Sequence, residues 1–240
     1  MPKTGEVITF DDKPSLQSRV TDDFVAAANT AVADRGVCRV SLSGGSTPKA
    51  IYAALAARDL PWDSMRWFWG DERNVEPDHD DSNQRMVREA MLTPAGASES
   101  TVFPVPVDTL RPDAAAAAYE RTMREEFGDV DAPAFDIVLL GMGDDAHTSS
   151  LFPGTAALAV KDRWFVENHV PKMDGYRYTS TYPAINAGRE IWFLVTGANK
   201  REALDAVWNG ERDLDRFPSQ GIDATRWYVT KDAVGSAVGV

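Results

Sequence analysis

A carboxylate and an imidazole stand two residues apart in Gly141-Met142-Gly143-Asp144-Asp145-Ala146-His147, directly after the apolar run Phe135–Leu140. An imidazole moves protons near neutral pH, and a nearby carboxylate orients it and tunes its charge. The run before it is short and rich in branched residues, as in a strand buried in a parallel sheet. In open α/β sheets ligands sit beyond the carboxyl ends of the strands. The turn therefore puts the chain's best acid–base pair, Asp145 and His147, where a ligand would be. A lone histidine is more often surface or structural. The buried strand, the glycine turn and Asp145 favour the functional reading here. His79 and His169 lack that context and are read as structural. With three histidines and one cysteine, no metal site is expected.

Other strand ends carry groups suited to anions. Ser43-Gly44-Gly45-Ser46-Thr47-Pro48 joins a strand to a helix. Its glycines permit close backbone approach, its hydroxyls donate, and a helix N-terminus carries partial positive charge. A phosphate would suit Ser43, Gly44, Gly45 and Ser46. A tight turn with a capped helix, Thr47 as N-cap and Pro48 at the first helical position, explains the same residues equally well. The turn matches neither the Walker A nor the dinucleotide glycine pattern. In Gly70-Asp71-Glu72-Arg73, Asp71 could accept a sugar hydroxyl, and Arg73 could meet phosphate or hold Asp71. Glu72 reads as part of a solvated turn with a surface ion pair. Asp78, Asp80 and Asp81 read as a solvated charge run leading into a helix. Lys200 could donate to phosphate as a point charge, though by itself it reads as a helix-surface lysine. Arg177 is either a strand-edge arginine or a second anion ligand.

The elements that position these residues alternate between two periods. Helical spacing marks Ser15–Asp34, Lys49–Ala57, Ser82–Leu92, Ala114–Phe127 and Arg201–Val207. Strands are expected at Val37–Leu42, Met65–Trp69, Phe135–Leu140, Ile191–Val195 and Trp227–Val229. Shorter ones are expected at Trp164–His169 and Tyr176–Tyr182. The polar stretch 209–224 reads as a surface loop. The expected fold is α/β: a doubly wound, mostly parallel sheet flanked by helices, with a small added strand region, in one domain over residues 1–240. With 25 basic and 37 acidic residues the net charge is −12, which argues against non-specific nucleic-acid or anionic-membrane binding. Cys38 alone cannot form an internal disulfide and reads as strand packing. No signal-peptide pattern and no membrane-length apolar run is present, so a cytoplasmic protein is expected.

Taken in order, these segments resemble the 6-phosphogluconolactonase family, within the glucosamine/galactosamine-6-phosphate isomerase-like group. The resemblance rests on Ser43–Pro48, on Gly70–Arg73 with Ser82-Asn83, and above all on Gly141-x-Gly-x-Asp145-x-His147-Thr148-x-Ser150-Leu151-Phe152-Pro153. Weaker support comes from Arg177-x-Thr179-x-Thr181 and Thr196-Gly197-x-x-Lys200. It spans roughly residues 37 to 233. It implies a Rossmann-like sheet, no metal and no organic cofactor. The implied reaction is hydrolysis of 6-phospho-D-glucono-1,5-lactone in the oxidative pentose phosphate pathway. His147 would be the general base and Asp145 its orienting partner. Gly45, Ser46, Arg73, Lys200 and Arg177 would hold the phosphate or sugar hydroxyls. Ala146 stands where the family usually has glycine; if that position takes positive φ, alanine there is strained.

Two rival readings remain. Amino-sugar-phosphate isomerases and deaminases on this fold carry a similar turn but need a further acid, usually a Glu shortly after the histidine. Here the run is Thr148-Ser149-Ser150-Leu151-Phe152-Pro153, with no Glu. A non-catalytic sugar-phosphate module would need the Ser43–Pro48 turn but not Asp145 and His147. The expected partner is a small sugar-phosphate lactone, with no nucleic acid and no membrane; the oligomeric state stays open, a monomer being compatible.

Overall fold

The computed structural model describes residues 5–235. Seven strands form one parallel sheet, in the order β1 (Glu6–Phe10), β10 (Arg226–Thr230), β9 (Glu190–Val195), β6 (Ile137–Leu140), β2 (Cys38–Leu42), β3 (Met65–Trp69), β5 (Val102–Phe103). Helices flank the sheet. Three of them bear on the site: α1 (Lys13–Arg35), α2 (Ser46–Leu55) and α3 (Asn83–Val87). The chain runs from β2 outward to β3 and β5, then returns to lay β6, β9 and β10 on the other side. The order reverses between β2 and β6, so the Ser43 and Gly141 turns leave neighbouring strand ends. A reversal of this kind opens a crevice for ligand.

The strand expected over residues 135–140 is β6, which begins two residues later at Ile137 and is buried along its whole length. Its apolar run suits a central strand covered on both faces. Aromatic pairs fill the two halves of the core: Phe68 stacks on Phe103 at 4.5 Å, and Phe193 on Trp227 at 4.1 Å. Cys38 is buried in β2, as its strand context suggested. Three strands escape the sequence reading, one of them β4 (Asp71–Arg73), which reads as a turn from sequence. Glu6–Phe10 is an edge strand of mixed pattern, and Val102–Phe103 is two residues long.

A second sheet holds β4 (Asp71–Arg73), β8 (Gly175–Ser180) and β7 (Phe165–Val170), all antiparallel. This is the expected added strand region. Gly70 is the corner between the sheets: its N–H donates to the Leu42 carbonyl of β2, and its carbonyl accepts Ser180 N of β8, both at 2.8 Å. A Cβ at Gly70 would come within 2.9 Å of Ser41 Oγ. Gly70–Arg73 thus does more than end β3, because it carries Asp71 and Arg73 onto a separate ribbon.

Candidate active site

The turn after β6 closes on itself. Gly143 N donates to the His147 carbonyl at 2.8 Å, and Ala146 N to the Gly143 carbonyl at 3.2 Å. Asp145 Oδ1 lies 2.5 Å from His147 Nδ1 and also accepts His147 N at 3.2 Å. Its other oxygen accepts Lys172 Nζ at 2.9 Å. These donors, the imidazole foremost, hold the Asp145 carboxyl well below the usual carboxylate range despite partial burial. The His147 ring stacks on Phe152, with centroids 4.1 Å apart. With Nδ1 engaged by Asp145, Nε2 is the ring nitrogen left for a ligand. Gly143 is obligatory for this packing: a Cβ there would stand 2.1 Å from His147 Nδ1.

Ala146 has φ 61, the left-handed region in which a glycine is at ease and an alanine is strained. The strain is held from outside the turn. The buried Ala146 carbonyl accepts Ser219 N at 3.0 Å and Ser219 Oγ at 2.7 Å. Ser219 belongs to the 3₁₀ turn Pro218–Gly221, inside the stretch read as surface loop. That reading holds for the largely exposed residues 210–216 and is corrected beyond them: Pro218, Ser219, Ile222 and Ala224 are buried, and the turn braces the His147 loop. Hydrophilic composition hides this because Ser219 is buried for its hydrogen bonds.

The Ser43–Pro48 turn faces the same cleft, of about 380 Å³, as His147. Gly45 precedes α2 at φ 106, a backbone suited to glycine, and no side chain caps the helix. The expected cap at Thr47 and first helical residue at Pro48 are therefore corrected. The helix starts at Ser46, and Thr47 Oγ1 instead meets Thr196 Oγ1 at 2.9 Å, joining the β2 and β9 turns. The first-turn N–H groups of α2 are left without a side-chain acceptor. Tyr52 OH meets both the N–H and the carbonyl of Ser43, at 3.0 and 2.8 Å, and fixes the turn. Ser43 Oγ is buried with no hydrogen-bond partner among the described residues.

The cleft brings together Ser43, Gly44, Gly45, Ser46, Asp71, Arg73, His147 and Lys200. Arg177 lies apart from it, in an adjoining cleft of about 200 Å³ that also touches Asp71, Arg73 and His147. Asp145 lines neither and stands behind His147. Arg73 pairs with Arg177 in register across β4 and β8. Arg73 donates to the Asp81 carbonyl at 2.5 Å and makes no hydrogen bond to Asp71, on which it acts through its charge alone. Arg177 donates to the Tyr176 carbonyl and to the Met173 sulfur. Burial, and then the charge of Arg73, lower the Arg177 pKa. Asp71 accepts Ser150 Oγ at 3.0 Å, and burial raises its pKa.

Glu72 departs furthest from its sequence reading. It is fully buried and forms no ion pair among the described residues. Its carboxylate accepts the N–H groups of Arg73, Asn83 and Gln84 at 2.7–2.8 Å, so it caps α3 from a neighbouring strand. Burial pushes its pKa up to about 7, against the pull of those three donors. Asn83 in turn donates to the Asp71 carbonyl at 3.0 Å and fills the space where a Gly44 Cβ would stand. Glu72 and Asn83 thus join the Ser43 turn, β4 and α3. Sequence reasoning also missed Lys13, Ser149 and Asn199 on the cleft and Lys172 behind Asp145. Among the described residues no group of His, Cys, Asp and Glu is placed to hold a metal ion. No described helix is long and apolar enough to cross a membrane.

A switch-point crevice with a glycine turn on one strand end and a carboxylate-held histidine on the next is a ligand site of an α/β fold with an acid–base pair facing it. The family model described as glucosamine-6-phosphate isomerases/6-phosphogluconolactonase matches residues 11–230, and the chain belongs to that family. Within it, a 6-phosphogluconolactonase from Nostoc sp. is 45% identical over 225 residues, covering 92% of each chain. One from Mycobacterium tuberculosis is 35% identical over 241 residues, covering 96% of this chain and 97% of the relative. Among solved structures, a 6-phosphogluconolactonase from Trypanosoma cruzi superposes with a TM-score of 0.87 at 27% identity, covering 100% of this chain and 99% of the other.

Proposed function

We propose that this chain hydrolyses 6-phospho-D-glucono-1,5-lactone to 6-phospho-D-gluconate, the second step of the oxidative pentose phosphate pathway. The observation that carries this reading is the His147–Asp145 pair, 2.5 Å apart, opening on the cleft that the Ser43–Pro48 turn and Lys200 also line. The names of the relatives support it. A δ-lactone is an activated ester, so water needs only a base and a place for the developing charge.

In this mechanism Asp145 accepts Nδ1–H, which leaves Nε2 unprotonated as the base. Water attacks C1 as Nε2 takes its proton. The tetrahedral intermediate collapses with cleavage of the bond from C1 to the ring oxygen, and the imidazolium returns the proton to that oxygen. Such assistance contributes roughly 10²–10⁴-fold. Gly45, Ser46 and Lys200 anchor the phosphate, and Arg73 and Arg177 bear on the sugar end near C1. Anchoring one end of the substrate holds C1 against His147. The amino-sugar isomerase reading needs a further acid, and Thr148–Pro153 carries none.

The test is a lactone hydrolysis assay coupled to phosphogluconate dehydrogenase and corrected for spontaneous opening. His147→Ala should lose most of kcat with the fold intact by circular dichroism. A kcat near that of wild type would remove His147 as the base. Ammonia release from glucosamine 6-phosphate would move the chain to the deaminase branch.

A further inference from the structure

We propose that Lys13, which lies outside every motif in the sequence, is a second ammonium ligand of the substrate phosphate and, with Lys200, sets the preference for a phosphorylated over a neutral lactone. This rests on the lactonase reading above. Lys13 is the first residue of α1, a helix of 23 residues. A cation there opposes the helix dipole. An ordinary surface lysine in that position would be expected to draw on a nearby carboxylate, and two are adjacent in sequence. Both are used elsewhere. Asp12 caps α1 by accepting Ser15 N at 2.8 Å, and Asp11 pairs with Lys231 at 2.5 Å. In a chain of net charge −12, Lys13 has no carboxylate partner within ion-pairing distance among the described residues. It lines the cleft of the Ser43–Pro48 turn instead.

The cleft offers what a phosphate would complete. Lys200 lines it as well and also has no carboxylate partner among the described residues. Ser43 lines it too, and its Oγ is buried without a hydrogen-bond partner among the described residues. Gly45 brings the uncapped start of α2 to the same place. A phosphate monoester is dianionic near pH 7 and presents three acceptor oxygens. Two ammonium groups, a hydroxyl and helix N–H groups match that charge and that acceptor count. A carboxylate, with one charge and two oxygens, would leave part of the set unused. The long flexible stem of Lys13 lets it reach in from an exposed helix end.

The experiment compares wild type, Lys13→Ala, Lys13→Arg and Lys200→Ala on the phosphorylated lactone and on D-glucono-1,5-lactone. Lys13→Ala should lower the ratio of kcat/KM for the phosphorylated over the neutral substrate by about ten- to a hundredfold, chiefly through KM, as expected for loss of one charge-assisted hydrogen bond. Lys13→Arg should recover most of the ratio, and inorganic phosphate should inhibit Lys13→Ala more weakly than wild type. An unchanged ratio in an enzyme that still prefers the phosphorylated lactone would overturn the Lys13 assignment alone. An equal fall on both substrates would make Lys13 a fold residue and overturn it too. A wild type with no preference for the phosphorylated lactone would overturn the lactonase reading and this proposal together.

Discussion

Replacing Gly143 by alanine isolates the geometry of the His147–Asp145 pair from its chemistry. The added Cβ would stand 2.1 Å from Nδ1, 2.3 Å from Cε1 of His147 and 2.6 Å from Asp145 Oδ1. Ordinary contact begins at 3.4 Å, so the imidazole must retreat by more than an ångström. Gly143 is not among the glycines at positive φ, so the backbone itself tolerates alanine. A displacement of about 1 Å at a reacting group costs about 10²-fold. Gly143→Ala should therefore lower kcat by about 10²-fold, bounded by the loss in His147→Ala. Overpacking costs roughly 1–3 kcal/mol, and at this chain length each kcal/mol lowers Tm by roughly 2–4 °C. The coupled assay and a thermal melt read the two effects separately. The double variant Gly143→Ala/His147→Ala should be no slower than His147→Ala, because the ring that the methyl displaces is gone. The reasoning is refuted if Gly143→Ala keeps kcat within twofold of wild type, or if the double variant loses a further large factor.

Ala146→Gly removes the left-handed strain on alanine, worth about 1–2 kcal/mol, but loses a buried methyl and frees the unfolded chain by about as much. Its Tm should stay within a few degrees and its kcat within about twofold, whereas Ala146→Val should unfold at clearly lower temperature; equal melts for the two would deny the strain. Burial raises the Glu72 pKa to about 7 from 4.5, so the folded state holds a proton that the unfolded state has released across that window. The contribution of Glu72 to stability therefore falls as pH rises through it, and the Tm of Glu72→Gln relative to wild type should climb between pH 5 and 8. A pH-independent difference would show that the three N–H donors keep Glu72 ionised throughout. Lys172→Met, at an exposed ion pair with Asp145, should leave Tm within a degree or two and alter the pH profile of kcat/KM at low salt, with the difference fading at high salt.

The amino-acid sequence determined what depends on near neighbours. The β6 run and the glycine turn behind it are legible because strand burial, tight turns and a carboxylate two residues from an imidazole are local. Ala146 is singled out through the family resemblance, which marks its position as usually glycine, and the structure gives it the φ of 61 that such a glycine would take. Even helix starts defied local reading where the decisive contact was distant: Thr47 looks like a cap, but its hydroxyl is drawn to Thr196, 149 residues away. Glu72 reads as solvated because acidic residues in turns usually are; only the packing of α3 against β4 supplies the Asn83 and Gln84 N–H groups that meet its buried carboxylate. Ser219 under Ala146, Lys172 behind Asp145 and Lys13 beside the Ser43 turn carry no motif at all. Each owes its place to segments far apart in sequence that only the folded chain brings together, because a side chain's partners across a crevice are set by topology and not by its neighbours in sequence.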